Sequence, residues 1–306
     1  MKVACLVPVR NKAFFVDQTV NSVLKQSYEG MEILLSDQGS TDASLSILKK
    51  MAESYSGLNT VKVVECPHTE QKGLAGFNVH INWLMTQTDA DLIIIVSADD
   101  LCHPDRVKRT VEIYEQYRPA FIGTRMQFLK PDGTVEGQTA WALQNLKEGE
   151  SRFITAKEHI EGLIGGSSST AFDREFYEKI GGLQSHTILD VYLPYLATFD
   201  RGFYFINEDL FAYIRHADPN NAGLGGQMLA ANGQEEQLLL NELAGYQVVS
   251  TLYQAGKVAA TVYSETWNNG QTDATEALYA NIVHRTCDWA NCRNFLNERK
   301  IQPRCL

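Results

Sequence analysis

No glycine-rich loop follows the first apolar segment of this 306-residue chain, and that absence removes two common nucleotide-binding designs. A dinucleotide fold places GxGxxG after its first strand, whereas the turn here reads Pro8-Val9-Arg10-Asn11-Lys12. The GxxxxGK[ST] loop that would cradle phosphates is missing too. Cysteines are few, and none of Cys5, Cys66, Cys102, Cys287, Cys292 and Cys305 forms a CxxC pair. His284, Cys287 and Cys292 lie close together, but their spacing suits thiols better than a zinc site. Apolar runs all fall short of the roughly 20 residues a membrane helix needs. Basic runs are absent and the formal net charge is −10, which counts against general binding to nucleic acid or anionic lipid. Met1 to Pro8 runs straight into a strand pattern with no small-residue cleavage site. It is expected to be part of the fold, with the cytoplasm as the default compartment.

What is present is the composition of an ordinary globular protein. At 44% hydrophobic and 21% charged residues, the chain can bury one large core, as one domain or one domain plus an extension. Residues 3–9 read as a strand, and Phe14, Val16, Val20, Val23 and Leu24 carry a helical period up to about Lys25. Glu32 to Ser36 is a second strand, followed by the turn Asp37-Gln38-Gly39-Ser40-Thr41-Asp42 and a helix over 42–54. Val61 to Val64 is a third strand, and Gly73 to Thr86 a helix in which Phe77 and Trp83 read as core. Alternating strands and helices predict βαβ units and a mostly parallel sheet.

The densest signal is Leu92-Ile93-Ile94-Ile95-Val96 followed by Ser97-Ala98-Asp99-Asp100. Five branched apolar residues predict a strand buried on both faces. Open α/β sheets bind ligands at the carboxyl ends of their strands, where Asp99 and Asp100 stand. Paired carboxylates there suit a divalent cation and, through it, phosphates; the alternative is that they cap a helix near Pro104-Asp105-Arg106. Arg10-Asn11 and Asp37-Gln38-Gly39 end the first two strands, so all three polar groups should converge on one edge of the sheet.

These blocks together resemble a family 2 glycosyltransferase with the GT-A fold, similar to the spore-coat polysaccharide type. The resemblance covers roughly residues 1–220. It rests on Val7-Pro8-Val9-Arg10-Asn11, on Gln26-Ser27-Tyr28, and on the strand and turn Glu32 to Asp42. Lys72-Gly73-Leu74-Ala75-Gly76-Phe77-Asn78 and Ser97-Ala98-Asp99-Asp100 with Pro104-Asp105-Arg106 continue it. Gly165-Gly166-Ser167-Ser168, Arg174-Glu175, Ile180-Gly181-Gly182, Asp190 and Tyr213-Ile214-Arg215-His216 complete it in order.

The resemblance implies an α/β fold with a mostly parallel central sheet flanked by helices, and a nucleotide-sugar donor, UDP-linked by preference. Pro8 and Arg10 would line the base and ribose pocket, Asp37 would accept a hydrogen bond from the base, and Lys72 would lie near the nucleotide. Asp99 would contact ribose or metal, Asp100 would bind Mn²⁺ or Mg²⁺, and Asp190 would be the general base. His216 is open between a metal or phosphate contact and a turn histidine, and Asp190 between the base and a buried pair with Arg215. Asp37 has the rival role of a turn or cap acid, and Arg10 and Lys72 that of solvated charges. The chain departs from the commoner Asp-x-Asp-Asp motif at Ser97, has Gln38 for a second Asp, and has Leu189 where many members carry Glu.

A single base and no evident second carboxylate favour an inverting displacement. The acceptor is open among a glycan, a lipid-linked sugar, a protein side chain and a modified base in nucleic acid, with the acidic balance against DNA. The lack of a membrane span disfavours a processive synthase. Competing readings are a nucleotide-sugar or glycan-binding module without turnover, and a sugar nucleotidylyltransferase, which should carry a basic glycine-rich N-terminal loop. Pro219 to Gly226 is turn-rich, a linker or lid. From Gln234 on the pattern is helical, so 221–306 is expected as a C-terminal helical extension that packs on the sheet domain, serves the acceptor side, or forms a homodimer contact. Trp141, Trp267 and Trp289 read as core rather than sugar platforms.

Overall fold

The computed structural model describes residues 1–67, 70–71, 73–138, 146, 149–162, 166–217, 230–231 and 233–265. The buried run of branched residues forms the centre. β1 (Val3–Val9), β2 (Glu32–Asp37), β3 (Thr60–Glu65) and β4 (Leu92–Ile95) pair in parallel in the order β3-β2-β1-β4. α1 (Val16–Leu24), α2 (Ser44–Ser54) and α3 (Gly73–Leu84) connect them. The helices found lie within two residues of those the apolar period predicts.

Beyond β4 the sheet changes character. It continues through β9 (Ala171–Asp173), β6 (Phe121–Leu129), β10 (Phe203–Ile214) and β5 (Asp100–Cys102), giving ten strands with β7 (Val135–Gln138) and β8 (Arg152–Ile154). β9 inserts antiparallel between β4 and β6, and β5 and β8 run antiparallel along β10. The sheet is therefore parallel over its first four strands and mixed over the rest. β5, β8 and β9 have three residues each.

Side chains alternate across the sheet into two apolar layers. Val3, Cys5, Val7, Leu92 and Ile94 face one layer with Val16, Val20 and Val23 of α1, Leu48 of α2, and Val107 and Val111 of α4 (Arg106–Tyr117). Ala4, Leu6, Ile93 and Ile95 face the other with Ile81 and Leu84 of α3, Phe176 of α6 (Arg174–Lys179) and Leu193 of α7 (Leu189–Ala197). Phe77 and Trp83 pack against this second layer, as core side chains. Each fully buried branched side chain contributes about 1.5–3 kcal/mol of transfer free energy, so the position of β4 is held from both faces.

α5 (Ala156–Gly162) and α8 (Gln234–Val262) complete the described helices. α8 starts where the helical pattern begins, and its Leu252, Ala255 and Ala259 join the same apolar layer as α7. Lys72, the expected boundary near 220, Trp141, Trp267, Trp289 and the His284–Cys292 cluster lie outside the described residues. No described helix is long and apolar enough to cross a membrane.

Candidate active site

The carboxyl ends of β1, β2 and β4 bring the sequence-predicted residues to one edge. Pro8 is buried in β1 opposite Ser36, beyond the last β1–β4 pair at Leu6, where its missing N–H breaks no ladder bond with β4. Val9 aligns with Asp37. Arg10 is half-buried and donates from Nη1 to the Gln71 carbonyl at 3.2 Å.

Asp37 is 2% exposed. Its Oδ2 accepts from the Ser40 amide at 2.9 Å, while its buried Oδ1 has no partner. The Ser40 bond is a turn contact; α2 itself has Ala43 as N-cap, and Asp42 Oδ1 accepts from the amide of Ser44, its first residue, at 2.9 Å. Asp37 thus keeps one buried acceptor unmet, an arrangement that is costly by itself. Gln38 has a different task here: its Nε2 donates to the Gly76 carbonyl at 3.1 Å and ties the β2 turn to α3.

Asp99 and Asp100 do not cap α4, whose N-cap is Asp105. Asp99 is 8% exposed, and its Oδ2 takes both the Lys12 ammonium at 2.8 Å and His216 Nε2 at 3.1 Å. Burial alone would raise the Asp99 carboxyl, but the His216 and Lys12 contacts outweigh it and hold the group below the usual range. The His216 ring also stacks on Phe15 with centroids 4.2 Å apart.

Asp100, 3% exposed, opens β5 opposite Tyr213 of β10. Ser168 Oγ accepts from Ser97 N at 2.7 Å and donates to Asp100 Oδ2. Asp100 Oδ1 is buried with no partner. Burial first, and the neighbouring Asp99 charge second, push the Asp100 carboxyl well above the usual range. An orphaned, charge-frustrated oxygen suits a hard cation, and magnesium-type sites take one or two protein carboxylates with the remainder from phosphate and water. Among the described residues no group of three His, Cys, Asp or Glu side chains could hold a metal by itself.

Asp190 stands in the first turn of α7 and is partly exposed, yet its carboxyl is crowded enough that burial raises its pKa. The Tyr213 hydroxyl is raised by burial and then by Asp100, Asp99 and Asp190, which puts all three carboxylates within electrostatic reach of one phenol. The segment is held from two sides. Asn78 Nδ2 of α3 donates to the Gln184 and Thr187 carbonyls at 2.7 and 2.8 Å. Thr251 Oγ1 of α8 accepts from Ile188 N at 3.0 Å, capping α7 where Ile188 has no side-chain cap. A pair between Asp190 and Arg215 is not formed; Arg215 lies 3.6 Å from Glu136 and over the Phe128 ring.

Two participants are not apparent from sequence, Lys12 and the specific role of Ser168. Lys12 is adjacent to the Arg10-Asn11 turn, which is the one signal that could have found it. A separate cleft of about 430 Å³, lined by Asp91, Arg118, Asp173, Arg174 and Arg201, lies at the opposite end of β4 and away from these groups.

Comparison with known proteins gives the family and the fold. The profile described as Glycosyl transferase family 2 matches residues 4–181. EpsE of Bacillus subtilis (strain 168), a protein named as a glycosyltransferase, is 30% identical over 126 residues, 41% of this chain and 43% of that relative. The match thus spans less than half of that curated relative's length. Among solved structures, S. aureus TarS 1-349 in complex with UDP-GlcNAc aligns at TM-score 0.57 and 15% identity, over 94% of this chain and 83% of its own. The mannosyltransferase PcManGT of Pyrobaculum calidifontis, solved with GDP-Man and Mn²⁺, aligns at TM-score 0.57 and 17% identity over 98% and 88%. At those identities the likeness is one of fold, and that fold is the GT-A arrangement.

Proposed function

Because the chain belongs to glycosyl transferase family 2, and is therefore a glycosyltransferase, we propose that it moves a sugar from a nucleoside diphosphate donor, UDP-linked by preference, to a hydroxyl acceptor with inversion. The observation that carries the reading is the pair of buried, unpartnered carboxylate oxygens, Asp37 Oδ1 and Asp100 Oδ1, on one sheet edge. Asp37 would accept from the base, and Pro8 and Arg10 would line the base and ribose pocket with Lys72 near the nucleotide. Asp100 would ligate Mn²⁺ or Mg²⁺, and Asp99 and His216 would complete the metal and ribose side. When bound, the cation supplies Lewis-acid neutralisation of the charge that develops on the diphosphate.

The chain's own residues would do the rest. Asp190 takes the proton from the acceptor hydroxyl, that oxygen attacks the anomeric carbon, and the bond to the diphosphate breaks with its electron pair leaving on the nucleotide. Burial raises the Asp190 carboxyl, and so improves the base at pH values above its pKa. Asn78 and Thr251 hold the turn that aims it. We place the reaction in the cytoplasm, supported by free thiols at the buried Cys5, Cys66 and Cys102.

The test is turnover. Purified protein with Mn²⁺ is offered UDP-, GDP- and dTDP-sugars, and release of the free nucleoside diphosphate is followed. Release from one donor that rises on adding a hydroxyl acceptor supports the reading. Tight nucleotide binding with no release from any donor would favour a binding module instead.

A further inference from the structure

We infer that Gly76 and Gln38 are positioning residues for Arg10. A glycine inside α3 makes room for the Gln71 carbonyl, and that carbonyl holds the Arg10 guanidinium at the carboxyl edge of the sheet. This rests on the donor reading above, in which Arg10 lines the base and ribose pocket. The first observation is a glycine where the helix gains nothing from one. Gly76 is the fourth residue of α3, and glycine is a poorer helix former than alanine. A Cβ built on it would stand 2.6 Å from the Gln71 oxygen, closer than side-chain carbons approach a backbone atom. The obstacle is main chain, so it cannot swing aside as a flexible side chain could. Any side chain at 76 therefore displaces the Gln71 carbonyl.

The second observation is what that carbonyl does. It accepts from Arg10 Nη1 at 3.2 Å, and the Cβ position of Gly76 lies 3.8 Å from the same nitrogen. The glycine thus borders both partners of one hydrogen bond. Held there, the guanidinium lies near the buried His80, whose imidazole is kept well below its usual range by burial first and by the Arg10 charge second. His80 Nε2 is 2.7 Å from Ser36 Oγ, and Ser36 precedes Asp37 in β2. Arg10 and Asp37, the two groups assigned to the base pocket, are therefore linked through one buried pair.

The third is how Gln38 closes the circuit. It is 2% exposed, its Nε2 donates to the Gly76 carbonyl at 3.1 Å, and its backbone N–H donates to the Val9 carbonyl at 2.9 Å. Contacts therefore run from Val9 through Gln38, Gly76 and Gln71 back to Arg10, the residue after Val9. A ring closed on adjacent residues fixes the guanidinium before any ligand arrives, and a preset group loses less freedom on binding. Gly76 and Gln38 act on the donor through Arg10, not by touching it.

The experiment is a double-mutant cycle read by isothermal titration of UDP with Mn²⁺ present, with thermal unfolding as the check on folding. The proteins are wild type, Gly76→Ala, Arg10→Ala and the double variant. Arg10→Ala should weaken UDP by about tenfold and Gly76→Ala by about fivefold. In the Arg10→Ala background, Gly76→Ala should cost less than about a further twofold, because the group it positions is gone. A glycine that served the fold alone would weaken UDP by the same factor in both backgrounds, and that result would overturn the inference. So would full affinity in Gly76→Ala beside a loss in Arg10→Ala, with the donor reading left standing. Should Gly76→Ala fail to fold, Gln38→Met, which keeps the length and removes the donor, is read by the same cycle. No loss in Arg10→Ala would overturn the role of Arg10 and this inference with it. Failure of UDP, GDP and dTDP alike to bind wild type would overturn the donor reading itself.

Discussion

The two halves of the sheet are built differently and carry different parts of the site. β3-β2-β1-β4 is parallel, joined by helices, and ends in Arg10, Asp37 and Asp99. Beyond β4 the pairings are mixed, the short strands have three or four residues, and the residues supplied are Ser168, Tyr213, His216 and, on the neighbouring α7, Asp190. In the proposed reaction the first half holds the nucleotide and the second orients the reacting groups. Asp100 lies on the seam, at the start of β5 and five residues past the end of β4.

Variants sort along that division. Asp100→Ala is expected to have the largest effect, because it removes the proposed cation ligand: sugar transfer should fall by about 10³-fold or more. Asp190→Asn should lower kcat by about 10²–10³-fold with donor KM little changed, since the base acts after the donor is seated. If donor KM rose in step with the loss in kcat, the division of labour would be wrong. The pH profile gives a second reading. In the proposed reaction Asp190 works as the carboxylate and its pKa is raised, so the rate should climb with pH through that raised pKa and be lost on the acid side, and Asp190→Asn should flatten the limb. Asp37→Ala belongs to the first half and should raise donor KM by about tenfold, the weight of one hydrogen bond to a charged group, while leaving kcat within about threefold.

Two smaller effects are in stability. Asp100 has a folded pKa raised above its unfolded value, so its contribution to stability is full below the unfolded pKa and is lost as pH rises through the folded one. Asp100→Asn should therefore raise the melting temperature of the metal-free protein by about 2–4 °C at neutral pH and by much less in acid, while abolishing transfer. Thr251→Val removes the acceptor for Ile188 N. It should cost about 1 kcal/mol in denaturant unfolding and lower kcat more than donor affinity, because Thr251 meets the start of α7, which carries Asp190.

The same division decides what the sequence reveals. The first half is legible because strands of four to seven residues alternate with amphipathic helices, and a polar turn closes each strand. Asp37, Asp99 and Asp100 stand out as acids at those turns. The second half is not, for local reasons. β5, β8 and β9 are too short to show alternation, and the 12-residue β10 is interrupted by Asn207-Glu208-Asp209, where its register with β6 shifts. Lys12 looks like a surface cation until the fold brings Asp99 to it across 87 residues of chain. Ser168 is likewise defined by contacts with Ser97 and Asp100, some 70 residues away. Asp190 is reached from sequence only by family resemblance; its crowding and the tethers that Asn78 and Thr251 place on the segment before it exist only in three dimensions.

The most direct test is a titration of UDP into wild type and Asp100→Ala, each with and without Mn²⁺. Binding should strengthen with the metal in wild type, and the metal effect should disappear in the variant. Metal-independent binding of equal strength in both proteins would contradict the cation site at Asp100. Failure of UDP, GDP and dTDP alike to bind wild type would contradict the donor site as a whole.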